Sequence, residues 1–513
     1  MSVPSQSSTA APAAAEATVP ADNGGTGAGP AAVAHSRVAS NAVIYLLGQL
    51  LSWSVTFVTV SIIPRRLGET GYGQLMVAST AVGTVSSILA LSIEQHVMTE
   101  VGRDHRRAAH MVGALWGLRT LMALPMVACA LIVLTVTHAS PMVFALGYLM
   151  IAAAVVGYMS GPLKGALIGF EEARRVTVLD IIGAFSALLA VPLLAYGPIA
   201  VPAVGLGMAV IVFVVAAAFV RRECRPRPRF EPLAWLALIR GGLPFLMNDS
   251  VTQFYGFSSI FLLRRFAGEA AVGEFAQALR LQGTFMFVPV AMGTALLPSL
   301  ARLADADEGE FRRMQSRVLA LMLALSLPVA TTVFLLAHPF CRLLYGPDKF
   351  QHVPLALQAA ALCVVPLYVN IIIYRFLVAQ RKNLVWSFFM MGTVGMNAAG
   401  CYVLIPVTVR RLGNAPVGAV VASLLAECIT VVFAFVLLRN NPLNASTVGR
   451  IARSLVATAA MAGVMLATRR LFVVVPAALG LTTFAVIAWR LRVLGADEQA
   501  RLMALLRQRL ARR

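Results

Sequence analysis

The chain has 513 residues, 59% of them hydrophobic and only 12% charged, with a formal net charge of +20. Soluble domains carry about 25% charged residues, so this composition excludes an ordinary soluble protein and indicates an integral membrane protein. Its arginines lie between long apolar runs, which excludes a nucleic-acid reading of the excess charge and fits spans oriented by cytoplasmic positive charge.

Residues 1–38 are Ala, Ser, Thr, Pro and Gly with almost no large apolar side chains, so a disordered N-terminal tail is expected. The segment lacks the basic start and apolar run of a signal peptide, which leaves the first span as an uncleaved anchor. Spans of about 20 apolar residues are then expected at 41–63, 73–94, 111–136, 142–163, 176–196 and 199–220. A cytoplasmic linker over 221–239 follows, and the second group reads 240–263, 274–299, 314–337, 353–379, 384–406 and 415–438. A last pair, 451–468 and 471–491, lies within 441–495. The expected fold is therefore all-α, with about fourteen transmembrane helices in two pseudo-symmetric six-helix lobes (39–220 and 240–440) plus a C-terminal pair. Residues 496–513 place Leu502, Leu505, Leu506 and Leu510 on one face among arginines, a basic amphipathic tail suited to an anionic leaflet.

With the N-terminus in the cytoplasm, 30 of the 42 basic residues fall on the cytoplasmic side, including Arg103, Arg106, Arg107 and the Arg221–Arg229 group. That bias predicts cytoplasmic N- and C-termini. The six cysteines form no CxxC pair, the seven histidines show no metal-ligand spacing, and no P-loop is present. No metal and no cofactor are expected, and no catalytic constellation appears, so the chain reads as a transporter and not an enzyme.

One short sequence occurs twice, 200 residues apart. Arg65, Gly68, Glu69 and Gly73 close the first span, and Arg265, Gly268, Glu269 and Gly273 close the seventh. Glycines permit a sharp turn there while the charges seek water. The same helix-loop-helix at the head of each half implies a duplicated bundle, an architecture common among transporters.

Several stretches resemble the multidrug/oligosaccharidyl-lipid/polysaccharide (MOP) superfamily of flippases. They are Arg65–Gly73, the turn Gly165–Arg175, Met292–Leu303 with its Leu-Leu-Pro-Ser-Leu core, Leu344-Tyr345-Gly346 and Gly413–Glu427. The similarity runs over about residues 40 to 495 and is greatest to the polysaccharide-biosynthesis (Wzx-type) branch. From Ala278 to Leu300 the chain also resembles the lipid II flippase branch. The resemblance implies two lobes around a cavity that opens alternately to each side of the bacterial inner membrane. It further implies a polyprenyl-diphosphate-linked oligosaccharide as substrate, for O-antigen (lipopolysaccharide) or exopolysaccharide assembly. A polysaccharide polymerase and glycosyltransferases are the implied partners besides membrane lipids, and no nucleic acid is.

Charged side chains inside spans cost about 2.5 kcal/mol or more at mid-bilayer, so each one invites a functional reading. Arg119 lies roughly 13 Å into the third helix at 1.5 Å per residue; it is either a cavity cation, or it snorkels or pairs with an acid within the bundle. Arg280 follows the second repeat loop, and the resemblance implies a substrate-facing arginine there; an outer-leaflet headgroup contact is the alternative. Asp249 and Glu427 are candidates for ion coupling or for counter-ions, against simple salt bridges. Glu94, Lys164, Asp180 and Arg375 sit near span ends, where a boundary role suffices. Within the superfamily, the rival readings are a lipid II flippase and a multidrug cation antiporter; from another class, a membrane-embedded glycosyltransferase lacks the extramembrane loop it needs.

Overall fold

The computed structural model describes residues 30–493 apart from 92, 171, 224–225 and 439–444, together with 495, 499 and 503. Among the described residues the chain is helical and contains no strand. Nine of these helices are long and apolar enough to cross a membrane, and Val474–Arg490 is a shorter apolar one. The side chains of the C-terminal leucine face lie outside the described residues.

Two helices run through the repeats. Helix α1, Pro30–Leu89, is broken at Gly68 (φ 72°, ψ 180°), and α7, Pro232–Gly283, is broken at Gly268 (φ 82°, ψ −174°). Both glycines occupy a backbone region that side-chain-bearing residues avoid. Each long helix is thus two spans joined at a kink, with the repeat's glycine as the joint. The second span of α7 continues through a 3-10 turn, Thr284–Met286, into α8, Phe287–Ala306. The Tyr368 hydroxyl donates to the Phe285 carbonyl there at 2.7 Å, satisfying a group the turn exposes.

The remaining spans are α3 (Ala108–Val136), α4 (Pro141–Gly169), α5 (Ala173–Ala190) and α6 (Ala200–Glu223) in the first half. In the second half they are α9 (Glu308–Tyr345), α10 (Val353–Ala379), α11 (Asn383–Leu412) and α12 (Ala415–Leu437). Pro192 removes a backbone donor where α5 tightens into a 3-10 turn, Val191–Tyr196. Asp307 caps α9 by accepting from the Glu310 amide at 3.0 Å, which holds its carboxyl below the usual aspartate range. Helices α13 (Ala445–Ala467) and α14 (Val474–Arg490) pack on each other and on α9, where Leu336, Met461 and Met465 are buried together. The most extensive contact between the halves is α1 against α7.

Three boundaries differ from the sequence reading. Helix α1 begins at Pro30, inside the segment expected to lack structure, because Pro30 opens an alanine-rich run of high helix propensity. Helix α7 begins at Pro232 and not at 240, because Pro232 suits the first helical turn and a run of Leu and Ala follows it, so the linker is shorter than 221–239. A short helix, α2 (Ile93–Arg103), follows the second span; Ile93, Val97 and Val101, four residues apart, are all buried on one face.

Candidate functional site

The two repeats meet each other. A Cβ on Gly73 would stand 1.8 Å from the Glu269 carbonyl oxygen, and one on Gly273 would stand 2.2 Å from that of Glu69. Gly73 and Gly273 therefore serve close backbone approach, whereas Gly68 and Gly268 supply the kinks. The relation is reciprocal: each glycine packs on the glutamate residue of the other copy, about a pseudo-two-fold axis.

The glutamate side chains cross as well. The Glu69 carboxylate accepts from the amide of Phe350, in the loop before α10. The Glu269 carboxylate accepts from the Ser140 hydroxyl, in the loop before α4, at 2.8 Å. Each repeat carboxylate thus grips the opposite half of the chain. The two gripped loops correspond, since each places a non-glycine residue with positive φ (His138 at 48°, Phe350 at 57°) three positions before the residue that starts its helix. Further bonds tie this end shut. Lys349 Nζ donates to the Arg65 carbonyl at 2.9 Å, and the Arg264 guanidinium donates to the carbonyls of Thr137 at 2.7 Å and His138 at 3.0 Å. Arg264 also pairs with Glu269 at 3.4 Å. The guanidiniums of Arg65 and Arg265 are exposed. Within the second half, the buried Glu274 carboxylate takes the His352 amide at 3.2 Å and its ring Nδ1 at 2.9 Å.

Arg280 lies seven residues beyond Gly273, roughly 10 Å along the helix. It is exposed, and its Nη1 donates to the hydroxyl of buried Tyr72 at 3.0 Å, in the first repeat. Gln277, one turn earlier, donates to the Val60 carbonyl of α1 at 3.1 Å and to the Tyr345 hydroxyl. Arg280 therefore stands just inside the closed end, held to the opposite half by the neutral hydroxyl of Tyr72.

Arg119 is placed differently. It is 1% exposed, its Nη2 is 2.6 Å from a Glu94 carboxylate oxygen, and its Nη1 donates to the Tyr158 carbonyl. The Tyr158 ring covers the guanidinium at 4.4 Å. Gly161 leaves room for this pair, because a Cβ there would stand 1.9 Å from the Glu94 oxygen. Of its readings, the pair with an acid inside the bundle is the arrangement present. Lys164 and Asp180, both read as boundary residues, pair with each other.

Glu427 is 7% exposed in the core of the second half, where Asn370 Nδ2 donates to its carboxylate at 2.6 Å and Tyr255 lies beside it. A buried chain of polar groups continues from there. Ser423 donates to Asn397 Oδ1 at 3.1 Å, and Asn397 Nδ2 donates to Ser259 at 2.8 Å. Asp249 falls within α7, and its side chain lies outside the described residues. The sequence reading missed Arg264, Gln277, Glu274 and Tyr72. Glu274, directly after Gly273, carried a signal, being an acid at the mouth of an apolar span.

The polysaccharide biosynthesis protein family model matches residues 38–304, and the MatE model matches residues 244–403. A comparison with curated proteins gives no match. Among solved structures, one described as "Lipid II flippase MurJ, inward closed conformation" superposes with TM-score 0.69 at 11% identity, over 88% of this chain and 98% of that one. A multidrug resistance MATE family transporter of the MOP superfamily, inward-facing, gives TM-score 0.62 at 14% identity over 77% of this chain and 97% of that one. A MOP superfamily transporter from Pyrococcus furiosus gives 0.55 at 16% identity over 80% and 96%. At such identities the likeness is one of fold, that of polytopic membrane transporters. Since the first family model spans more than half of its length, the chain belongs to the polysaccharide biosynthesis protein family.

Proposed function

We propose that this protein flips a polyprenyl-diphosphate-linked oligosaccharide across the bacterial inner membrane, by alternating access, for O-antigen or exopolysaccharide assembly. The observation that carries this reading is Arg280, an exposed guanidinium just inside an end closed by crossed contacts between the halves. A diphosphate crossing hydrocarbon needs a fixed cation, and the arginine fork offers several donors to it. Tyr72 is a neutral partner that a phosphate oxygen displaces without breaking an ion pair. Opening the crossed repeats then releases the head group on the far side. In this scheme the repeat loops face the periplasm, both termini are cytoplasmic, and glycosyltransferases and a polymerase act before and after the protein. Glu427, buried with one carboxamide donor, is the candidate for coupling to an ion gradient; Arg119, already paired, is assigned to stability.

The experiment replaces Arg280 in a strain lacking the native copy and measures surface polysaccharide with membrane protein quantified alongside. Arg280→Ala should abolish export at normal abundance, and Arg280→Lys should keep part of it. Full export by Arg280→Ala would remove the cation from the path. A lipid II carrier is the second reading, favoured by the 0.69 superposition and by the same diphosphate chemistry. Rescue of cells depleted of their lipid II flippase would favour it. The third, multidrug cation export, draws on the MatE match and requires drug resistance on expression.

A further inference from the structure

A cavity lies away from the repeat loops, where the first half meets the start of α7. It encloses about 690 Å³. One wall comes from α2 and the head of α3: His96, Glu100, Arg106, Arg107 and His110. His96 and Glu100 stand on α2 at the edge of the buried face formed by Ile93, Val97 and Val101, and both line this space. Asp104 fixes the arginines by accepting from the Arg106 amide at 3.0 Å and pairing with Arg107 at 3.2 Å. The Arg106 guanidinium has no partner among the described residues. His110 meets Glu231, the residue before α7, at 3.0 Å.

The facing wall is apolar, with Met111 and Ala114 from α3 against Ala237 and Leu238 from α7. It is also held firmly. The Arg229 amide donates to the Gly113 carbonyl at 2.9 Å, and Trp235 Nε1 donates to the Ala114 carbonyl at 2.9 Å. A Cβ on Gly117 would stand 1.9 Å from the Arg229 carbonyl oxygen. The two halves of the chain therefore share one rigid cavity with a basic rim and a greasy side.

That pairing selects an amphiphile with an anion at one end. Two adjacent arginines suit phosphate oxygens, and the apolar wall suits a hydrocarbon chain. Glu100, the acid among the lining residues, suits neither; it suits a hydroxyl donor, as on a sugar. We propose that this cavity is a loading site for the glycosyl diphosphate end of a lipid-linked substrate, with phosphate on Arg106 and Arg107, a sugar hydroxyl on Glu100 and the first isoprene units along Met111 and Leu238. The assignment rests on the proposed function and adds a place where substrate is captured before it moves between the halves. Anionic bilayer phospholipid shares the phosphate and the chain but lacks the sugar.

The test uses the purified full-length protein and farnesyl-diphosphate-linked N-acetylglucosamine as probe, with binding read by thermophoresis. The wild type should bind saturably. Arg106→Ala/Arg107→Ala should weaken binding by about tenfold or more, as expected for the loss of charge-assisted bonds. The double lysine variant should bind between the two, and Glu100→Ala should weaken the probe without weakening farnesyl diphosphate. A tenfold excess of phosphatidylglycerol should leave the probe bound. Both arginine side chains are exposed, so unchanged thermal unfolding will show that the variants fold. Wild-type affinity in the alanine variant, or full displacement by phosphatidylglycerol, overturns the loading site; the flippase reading then stands if Arg280→Ala still abolishes export. A wild type that binds no probe at all overturns both.

Discussion

The Arg119 guanidinium is held by the Glu94 carboxylate, the Tyr158 carbonyl and the Tyr158 ring, with only its buried Nε unpartnered among the described residues, so a substrate phosphate would compete with a carboxylate there. Removing it leaves a carboxylate and a carbonyl without their donor. Arg119→Ala should therefore cost about 3 kcal/mol, the low end for a broken buried pair because Glu94 keeps some water. Thermal unfolding in detergent and membrane abundance should both fall. Lost export at normal abundance and stability would return Arg119 to the transport path. Gly161→Ala should act in the same direction, since its Cβ would clash with the Glu94 oxygen and the Arg119 Nη1. Arg119, Arg280 and Glu427 were legible in the sequence because a charge within an apolar run is conspicuous. Their partners were not: Tyr72 lies 208 residues from Arg280, and Asn370 lies 57 residues from Glu427. Spacing carries no information about contacts of that range.

Among the elements, the duplicated loop was readable as a helix junction from its glycines and charges. Its reciprocal packing was not, because the sequence pattern of Gly73 and Gly273 is the same whether they bend the chain or admit a neighbour's backbone. Their neighbours in the fold separate the two cases: contact at 1.8 and 2.2 Å for a hypothetical Cβ, against open space around Gly68 and Gly268. Two outcomes follow. Gly73→Ala and Gly273→Ala should each hold the halves apart at the loops, raising thiol labelling of a reporter cysteine at Thr70 and lowering export severalfold. Gly68→Ala should instead strain the kink itself, by about 1–2 kcal/mol for a residue forced into a glycine-only region, and lower thermal stability. Unchanged labelling in the first pair would mean that the loops do not form a closure. Helix α2 escaped detection because its three buried aliphatic residues are diluted by His96, Glu100 and Arg103, which read as a polar loop.

Across the whole molecule, the expected spans each coincide with helix over most of their length, and long apolar runs explain why: twenty residues without charge have few other ways to satisfy their backbone in lipid. Orientation was read from the placement of basic residues alone and needs its own measurement. In a background lacking native cysteines, an impermeant thiol reagent added to intact cells should label Thr70→Cys, Arg265→Cys and Pro347→Cys. It should not label His105→Cys or Arg227→Cys. The reverse pattern would invert the protein and place the Arg106 cavity on the outer face, away from any substrate made in the cytoplasm.

In the proposed cycle, transport requires the crossed repeats to part. Lys349 Nζ reaches the Arg65 carbonyl across the closed end at 2.9 Å, and both side chains are exposed. A short reducible bis-thiosulfonate linker between Arg65→Cys and Lys349→Cys would therefore lock the end shut without burying the reagent. Surface polysaccharide export should stop when the pair is linked and return when the linker is reduced, with either single variant unaffected. Continued export by fully linked protein would contradict the account.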